Sequence, residues 1–320
     1  MQNWLGVVIK VALTALILGF FLLHLDVRAI GRSLASVNGW AAVGAFFVVL
    51  AQTLFAAKRL NLVVNRFQVP IPFTDAFRIT LEGMFFSHTF LSFIGGDALR
   101  IWRIRKAGLP LIDATSAILI DRLIGILVNH LCLLASLPWL LSRISERSVN
   151  YALILLAVAG VAGFAVILFL GSLRGRGGYL HELRERLPVK RVAMLLIEAS
   201  TVGRYFLTYY PQLLQVGLVS VFIALGNALA FGIILLGMGV DAPLALGCAL
   251  LVPAVLEIAM VPISIAGWGL REGAAVVAFG ALGLQSDVAF GSSLAYGLIV
   301  GGVSLLGGII WVADRKPKPV

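Results

Sequence analysis

Apolar runs long enough to form membrane spans alternate along this chain with short polar stretches. Continuous runs cover Trp4–Leu23, Trp40–Ala57, Ala114–Leu141, Tyr151–Leu170, Leu213–Gly237 and Val288–Val312. A helix needs roughly 20 apolar residues to cross the hydrocarbon core, so each run predicts one full span. Two regions depart from this pattern. Phe77–Ile94 is apolar but contains Arg78, Glu82 and His88, and it ends at Gly95-Gly96. Leu244–Val261 carries Glu257, is interrupted by Pro253 and Pro262, and is broken fully at Gly267 and Gly269. The piece after it, Glu272–Leu284, is too short to span. These two regions predict re-entrant helical hairpins. Between spans four and five, Val192, Leu195, Leu196, Ala199 and Phe206 recur at helical spacing, with Glu198, Ser200 and Arg204 elsewhere on the wheel. That predicts an amphipathic helix in the interface, followed by Tyr205, Tyr209 and Tyr210 at headgroup level. The expected fold is an all-α integral membrane protein with six full transmembrane helices and two re-entrant hairpins. Residues 1–320 form a single polytopic membrane domain.

Charge fixes an expected path. The stretches 58–75, 95–113, 172–191 and the tail Arg315-Lys316-Pro317-Lys318 are rich in Lys and Arg. All should face the cytoplasm, with both termini, while the connections near Asp241 and Asp287 face outside. The first hairpin then dips in from the cytoplasm and the second from outside. A short motif marks each: Ile94-Gly95-Gly96-Asp97-Ala98-Leu99-Arg100 and Ile265-Ala266-Gly267-Trp268-Gly269-Leu270-Arg271. Gly-x-x-Leu-Arg occurs nowhere else in the chain. Opposed hairpins with a shared motif predict an inverted-topology repeat. Its halves are 40–141 and 213–312, linked through the basic loop and interfacial helix of 172–210.

Composition narrows the function classes. Hydrophobic residues make up 60% and charged residues 12%, against about 45–50% and 25% in soluble domains. The spans leave no room for a separate soluble catalytic domain. The formal net charge is +10, which reflects retained cytoplasmic lysines and arginines and favours anionic headgroups. Cys132 and Cys248 lie inside apolar runs, without disulfide or metal spacing. Trp4–Leu23 lacks a basic n-region and reads as a retained span rather than a cleaved signal. Neither a nucleophile elbow, a phosphate loop nor a zinc motif is present. The arginines are dispersed among spans, so nucleic acid is not an expected partner. No metal and no cofactor is expected.

A charge at the centre of a span costs about 2.5–3.5 kcal/mol on insertion scales. Such groups persist where they pair or line a wet cavity. Arg100 and Arg271 offer planar guanidinium forks suited to phosphate. The glycines beside them, Gly96, Gly267 and Gly269, permit close backbone approach. Asp97, Trp268 and Glu272 complete this expected headgroup site. Glu82, His88, Asp121, Arg122 and Glu257 are the expected intramembrane charge partners. Neighbouring helix residues point about 100° apart, so Asp121 and Arg122 need separate partners: Arg100 for Asp121, and Glu82 or Glu257 for Arg122. The bland reading of each arginine is an interfacial anchor or a partner for a nearby acid. Glu82 and Glu257 could carry protons in coupled transport, or simply satisfy an arginine.

Three motifs together resemble the lysylphosphatidylglycerol synthase transmembrane family of flippase-like membrane proteins. They are Gly96-Asp97-Ala98-Leu99-Arg100, then Asp121-Arg122, then Pro262 to Glu272 through Gly267 and Gly269. Asp97 and Asp121 stand where glutamate is the more usual residue. The resemblance spans nearly the whole chain, and the aminoacyl-transferring domain of the bifunctional members is not part of it. It implies a non-enzymatic lipid flippase in the cytoplasmic membrane. The cargo would be an anionic or phosphate-bearing lipid: a phospholipid, a glycolipid precursor or a hopanoid. Two rival classes remain open. One is a membrane enzyme acting on a headgroup with Asp97, Glu82 or Glu257 as acid or base. The other is an accessory partner of a lipid synthase. A homo-oligomer is compatible with each.

Overall fold

The computed structural model describes residues 12, 14–16, 19, 27–67, 69–89, 93–173, 190–261 and 263–314. The regular elements are α1 (Val27–Ala35), α2 (Gly39–Val64), α3 (Phe73–Thr89), α4 (Phe93–Lys106), α5 (Leu111–Arg143), α6 (Arg147–Leu173), α7 (Lys190–Thr208), α8 (Tyr210–Gly237), α9 (Ala242–Ala259), α10 (Leu270–Gly280) and α11 (Ser286–Ala313). The described residues contain no strand. The helices α2, α5, α6, α8, α9 and α11 are long and apolar enough to cross a membrane. The protein is therefore an all-α, multi-pass membrane protein.

This set of six differs from the expected one in a single member. Trp4–Leu23 lies outside the described residues except at positions 12, 14–16 and 19. Among the described residues the sixth long apolar helix is α9, whose 18 residues are uninterrupted. Pro253, expected to interrupt it, sits inside the helix, as proline can where neighbouring helices bury the freed backbone groups. Other boundaries shift for the same reason: a charge or a glycine ends an apolar run in the sequence without ending a helix. Lys58 and Arg59 belong to α2, which continues to Val64. Arg28 and Arg32 lie on α1. Gly95 and Gly96 fall in the first turn of α4, so Arg100, Arg103, Arg105 and Lys106 are helical rather than in a loop.

The packing is organised by α2 and α8, which run antiparallel. Asn38 N–H donates to the Gly237 carbonyl at 3.1 Å. Phe55 stacks on Phe222 at 5.2 Å, and Arg59 reaches Ser220 at 3.3 Å. The short helices α3 and α4 form an antiparallel hairpin, with Glu82 opposite Arg103 and Gly96 pressed on Gly83. The helices α9 and α10 form a second one, with Gly267 under Ala259 and Leu282 beside Gly247. The first hairpin also packs on α11 through α3, and the second on α5 through α9. At one end of the bundle Asp314 meets Arg78 and Arg103 at 3.7 and 3.3 Å, and Arg66 lies over the Tyr209 ring.

The expected interfacial helix exists as α7, and its described second half packs into the protein. Ser200, Val202, Tyr205 and Phe206 are buried, Phe206 meets Phe164 of α6 at 4.9 Å, and the backbones of Gly171 and Gly203 touch. The basic loop before it, 174–189, lies outside the described residues.

Small residues let helix backbones approach closely in membranes. A Cβ at Gly307 of α11 would collide with the Leu81 carbonyl of α3 and come within 2.8 Å of the Glu82 nitrogen. Backbone cannot swing aside as a side chain can. Gly307→Val is expected to cost about 1–3 kcal/mol, the usual range for overpacking. Thermal unfolding in detergent reads this as a lowered midpoint. An unchanged midpoint would mean that α3 and α11 do not pack this way.

Candidate functional site

A cavity of about 230 Å³ with a charged wall lies between the first hairpin and helices α2, α5, α8 and α9. Its charged wall consists of Arg59 (α2), Asp97 and Arg100 (α4), and Asp121 and Arg122 (α5), with His88 of α3. Ser87, Asn129, Ser220 and Asn227 add neutral polar groups, and Met84, Leu256 and Met260 add apolar ones.

The arginines are not held alike. Arg59 grips Asp121 with both forks, Nε to Oδ1 at 2.7 Å and Nη2 to Oδ2 at 3.2 Å. Such bidentate pairs are the strong charge-assisted ones. Arg122 pairs with Asp97. Arg100 is different. Its nearest carboxylate contact is Asp97 Oδ1 at 4.0 Å, beyond hydrogen-bond length. Its Nε is buried without a hydrogen-bond partner. Counting formal charges, three arginines face two aspartates, and the uncompensated one is Arg100.

Glycines make the room. A Cβ at Gly83 would collide with the Arg100 side chain, and one at Gly125 would come within 2.8 Å of Arg59 Nη1. Gly96, expected to approach a ligand, instead packs on Ser87 and the Gly83 carbonyl, which draws α4 onto α3.

The second motif builds something else. Its turn uses left-handed backbone at Ala266 (φ 50°), Gly267 (φ 77°) and Gly269 (φ 84°). An alanine at positive φ is uncommon, so surrounding contacts must hold it. Ile265 N–H donates to Thr14 Oγ1 at 2.8 Å, and Gly269 N–H donates to Glu272 Oε2 at 2.6 Å. Arg271 pairs with Glu272 through Nη2 at 2.6 Å and donates through Nε to Ser293 at 3.2 Å. The guanidinium sits between the Trp268 and Tyr296 rings, 4.9 and 5.8 Å from their centroids. Arg271 and Glu272 are both buried.

The structure therefore does not bring the two motif arginines together on one wall. Arg100 and Asp97 line the cavity; Arg271, Glu272, Gly267, Trp268 and Gly269 do not. The physical reason is that Glu272 follows Arg271 directly and takes its charge inside the turn. A link remains: Tyr296, under Arg271, donates to Asn227 on the cavity wall at 2.7 Å.

The charge partners also differ from expectation. Asp121 takes Arg59, not Arg100. Arg122 takes Asp97, not Glu82 or Glu257. Glu82 is held by Arg103 at 2.6 and 2.7 Å, and Glu257 lies 2.9 Å from His130. His88 Nδ1 donates to the Met84 carbonyl at 3.0 Å. The described residues contain no cluster of metal-ligating side chains.

A family model described as the lysylphosphatidylglycerol synthase TM region matches residues 7–308. The chain belongs to this family. A search of curated proteins finds no match. All three motifs carrying the resemblance fall inside the match to the lysylphosphatidylglycerol synthase TM region. Two of them, Asp97–Arg100 and Asp121-Arg122, meet at the cavity wall.

Sequence reasoning missed Arg59, Ser220 and Asn227 here, and Arg103 and His130 nearby. Arg59 had a readable signal. The apolar sequence Leu60, Leu62, Val63 and Val64 continues after it, so the arginine lies a turn inside a helix rather than in a loop. His130 had the same one, a histidine within the longest apolar run.

Proposed function

We propose that this protein moves a lipid with a phosphate-bearing headgroup between the leaflets of the cytoplasmic membrane. The observation that carries the reading is Arg100. A guanidinium with an orphaned donor, beside a cavity of headgroup scale, offers an anion the partner that the protein does not supply. Phosphate oxygens would accept from Arg100, with Arg59 and Arg122 adding positive potential. Asp97 and Asp121 then keep the site close to neutral when it is empty. The acyl chains stay in lipid, since the cavity is too small to take them.

Packing supports the expected inverted repeat as the device. Long helix, hairpin, long helix occurs twice, as α2 to α5 and α8 to α11. The lead helices α2 and α8 run antiparallel, and each hairpin packs on the closing helix of the other set. Two related halves of opposite direction can open alternately around one site. In this reading Arg271 is the keystone of the second hairpin's turn rather than a headgroup contact. Transport rather than headgroup chemistry is favoured by the state of two of the carboxylates. Glu82 is held by two hydrogen bonds from Arg103 and Asp97 by Arg122, so neither is poised to move a proton on a substrate.

The cellular test compares a strain lacking the protein with its parent for total and outer-leaflet lipids. Unchanged totals with one lipid missing from the outer leaflet support translocation and name the cargo. Loss of one species with accumulation of its precursor would instead make the protein an enzyme.

A further inference from the structure

Beside the cavity, off its wall, His130 of α5 and Glu257 of α9 meet across a helix interface. His130 Nδ1 lies 2.9 Å from Glu257 Oε1. It also lies 2.9 Å from the Ile126 carbonyl, one turn earlier on its own helix. A carbonyl only accepts, so Nδ1 carries a hydrogen and is committed to that carbonyl. Glu257 Oε1 is then a buried acceptor with no hydrogen-bond donor, on a side chain 9% exposed. An ionised carboxylate left this way in a membrane interior is costly. A proton on the carboxyl removes the charge.

We propose that the His130–Glu257 contact is a proton-binding site that couples the movement of lipid to a proton gradient, an inference that rests on the transport reading above. Glu257 carries its proton in the conformation described here. When α9 shifts against α5, Glu257 Oε1 moves into line with the Nδ1–H of His130 and shares it with the Ile126 carbonyl. The carboxyl O–H bond then breaks, the electron pair stays on the carboxylate, and the proton passes to water on the cavity side. Both helices reach that cavity next door to the pair: Asn129 precedes His130, and Leu256 and Met260 flank Glu257. Filling or emptying the cavity therefore acts on the same helix contact that holds the proton.

No other charge competes for the pair among the described residues. The helix α8, packed on both α5 and α9, has no charged residue between 210 and 237. The helix α6, whose Gly160 receives the His130 ring, has none after Arg147. On α10, Arg271 and Glu272 pair with each other. On α5, Asp121 and Arg122 pair with Arg59 and Asp97 at the cavity wall. Arg100 faces the cavity.

Two measurements decide the matter. The first is infrared spectroscopy of the purified protein in lipid nanodiscs, titrated with acid and base. The proposal expects a protonated-carboxyl band at neutral pH that disappears in Glu257→Gln, a near-isosteric change that keeps the neutral shape and so the fold. A band that persists in Glu257→Gln, or no such band in the wild type, overturns the proton site and makes the contact a simple ion pair. The second measurement is leaflet exchange of a fluorescent phospholipid in proteoliposomes, with and without an imposed pH gradient. A several-fold acceleration by the gradient in the wild type, lost in Glu257→Gln, is expected. Exchange that ignores the gradient overturns the coupling and leaves the transport reading intact. No exchange of any lipid overturns the transport reading and the coupling together, while the infrared band still decides the proton site.

Discussion

Glu272→Ala is expected to cost about 3–5 kcal/mol of stability, the range seen when one partner of a buried ion pair is removed. Four groups lose their common acceptor: the Gly269 N–H, two guanidinium nitrogens of Arg271, and the Ser293 hydroxyl. Glu272 is fully buried and Arg271 is 5% exposed, so water cannot replace what is lost. The Ala266 to Gly269 turn, already in left-handed backbone, loses the contact that pins it. The measurement is thermal unfolding of the purified protein, alongside the double variant Arg271→Leu/Glu272→Leu. The double variant should recover part of the loss, because replacing a whole buried pair by apolar groups is often neutral. If Glu272→Ala melts like the wild type, the pairing drawn here for Arg271 is wrong.

Arg100→Ala should act in the opposite way, sparing stability and slowing transport. The side chain has no close carboxylate to orphan, its nearest contact being 4.0 Å away. A hydrogen bond to a charged group contributes about 1.5–3 kcal/mol, and about 1.4 kcal/mol is a factor of ten in rate. Leaflet exchange should therefore fall between about tenfold and a hundredfold. Arg100→Lys should recover only part of it, since an ammonium cannot present a planar fork. Arg105→Ala, exposed on the same helix, should leave exchange unchanged and serves as the control. Equal losses in Arg100→Ala and Arg105→Ala would reduce the effect to general surface charge.

Much of the fold was legible because a bilayer demands long apolar helices, and run length reports them directly. The errors fell where a charge or a glycine sits inside a helix. Lys58 and Arg59 ended the second run in the sequence, yet the Arg59 guanidinium turns inward to Asp121 and the helix continues. Gly297 and Gly301 stand four residues apart, a spacing that permits close helix approach. In the structure a Cβ at Gly301 would meet open space, while one at Gly297 would collide with the Arg271 guanidinium.

The pairing of charges was not legible, because it depends on which helix faces share an interior. Asp121 and Arg122 needed separate partners, and sequence order offered no way to choose Arg59 and Asp97 from the other candidates. Likewise the shared Leu-Arg ending of the two motifs hid a difference of one residue. The first arginine is followed by Ile101, and the second by Glu272, which neutralises it.

The central claim is that the Arg100 cavity carries a phosphate-bearing headgroup across the membrane. Its most direct test is reconstitution of the wild type and Arg100→Ala into vesicles containing fluorescent lipids with either a phosphate-bearing or an uncharged headgroup. Loss of outer-leaflet fluorescence on adding an impermeant quencher reads exchange. Over the time in which the wild type completes exchange, the account predicts full quenching for the phosphate-bearing lipid with the wild type, close to half quenching with Arg100→Ala, and half quenching for the uncharged lipid with both. Equal exchange of the two lipids by the wild type, or of the phosphate-bearing lipid by the two proteins, would contradict it.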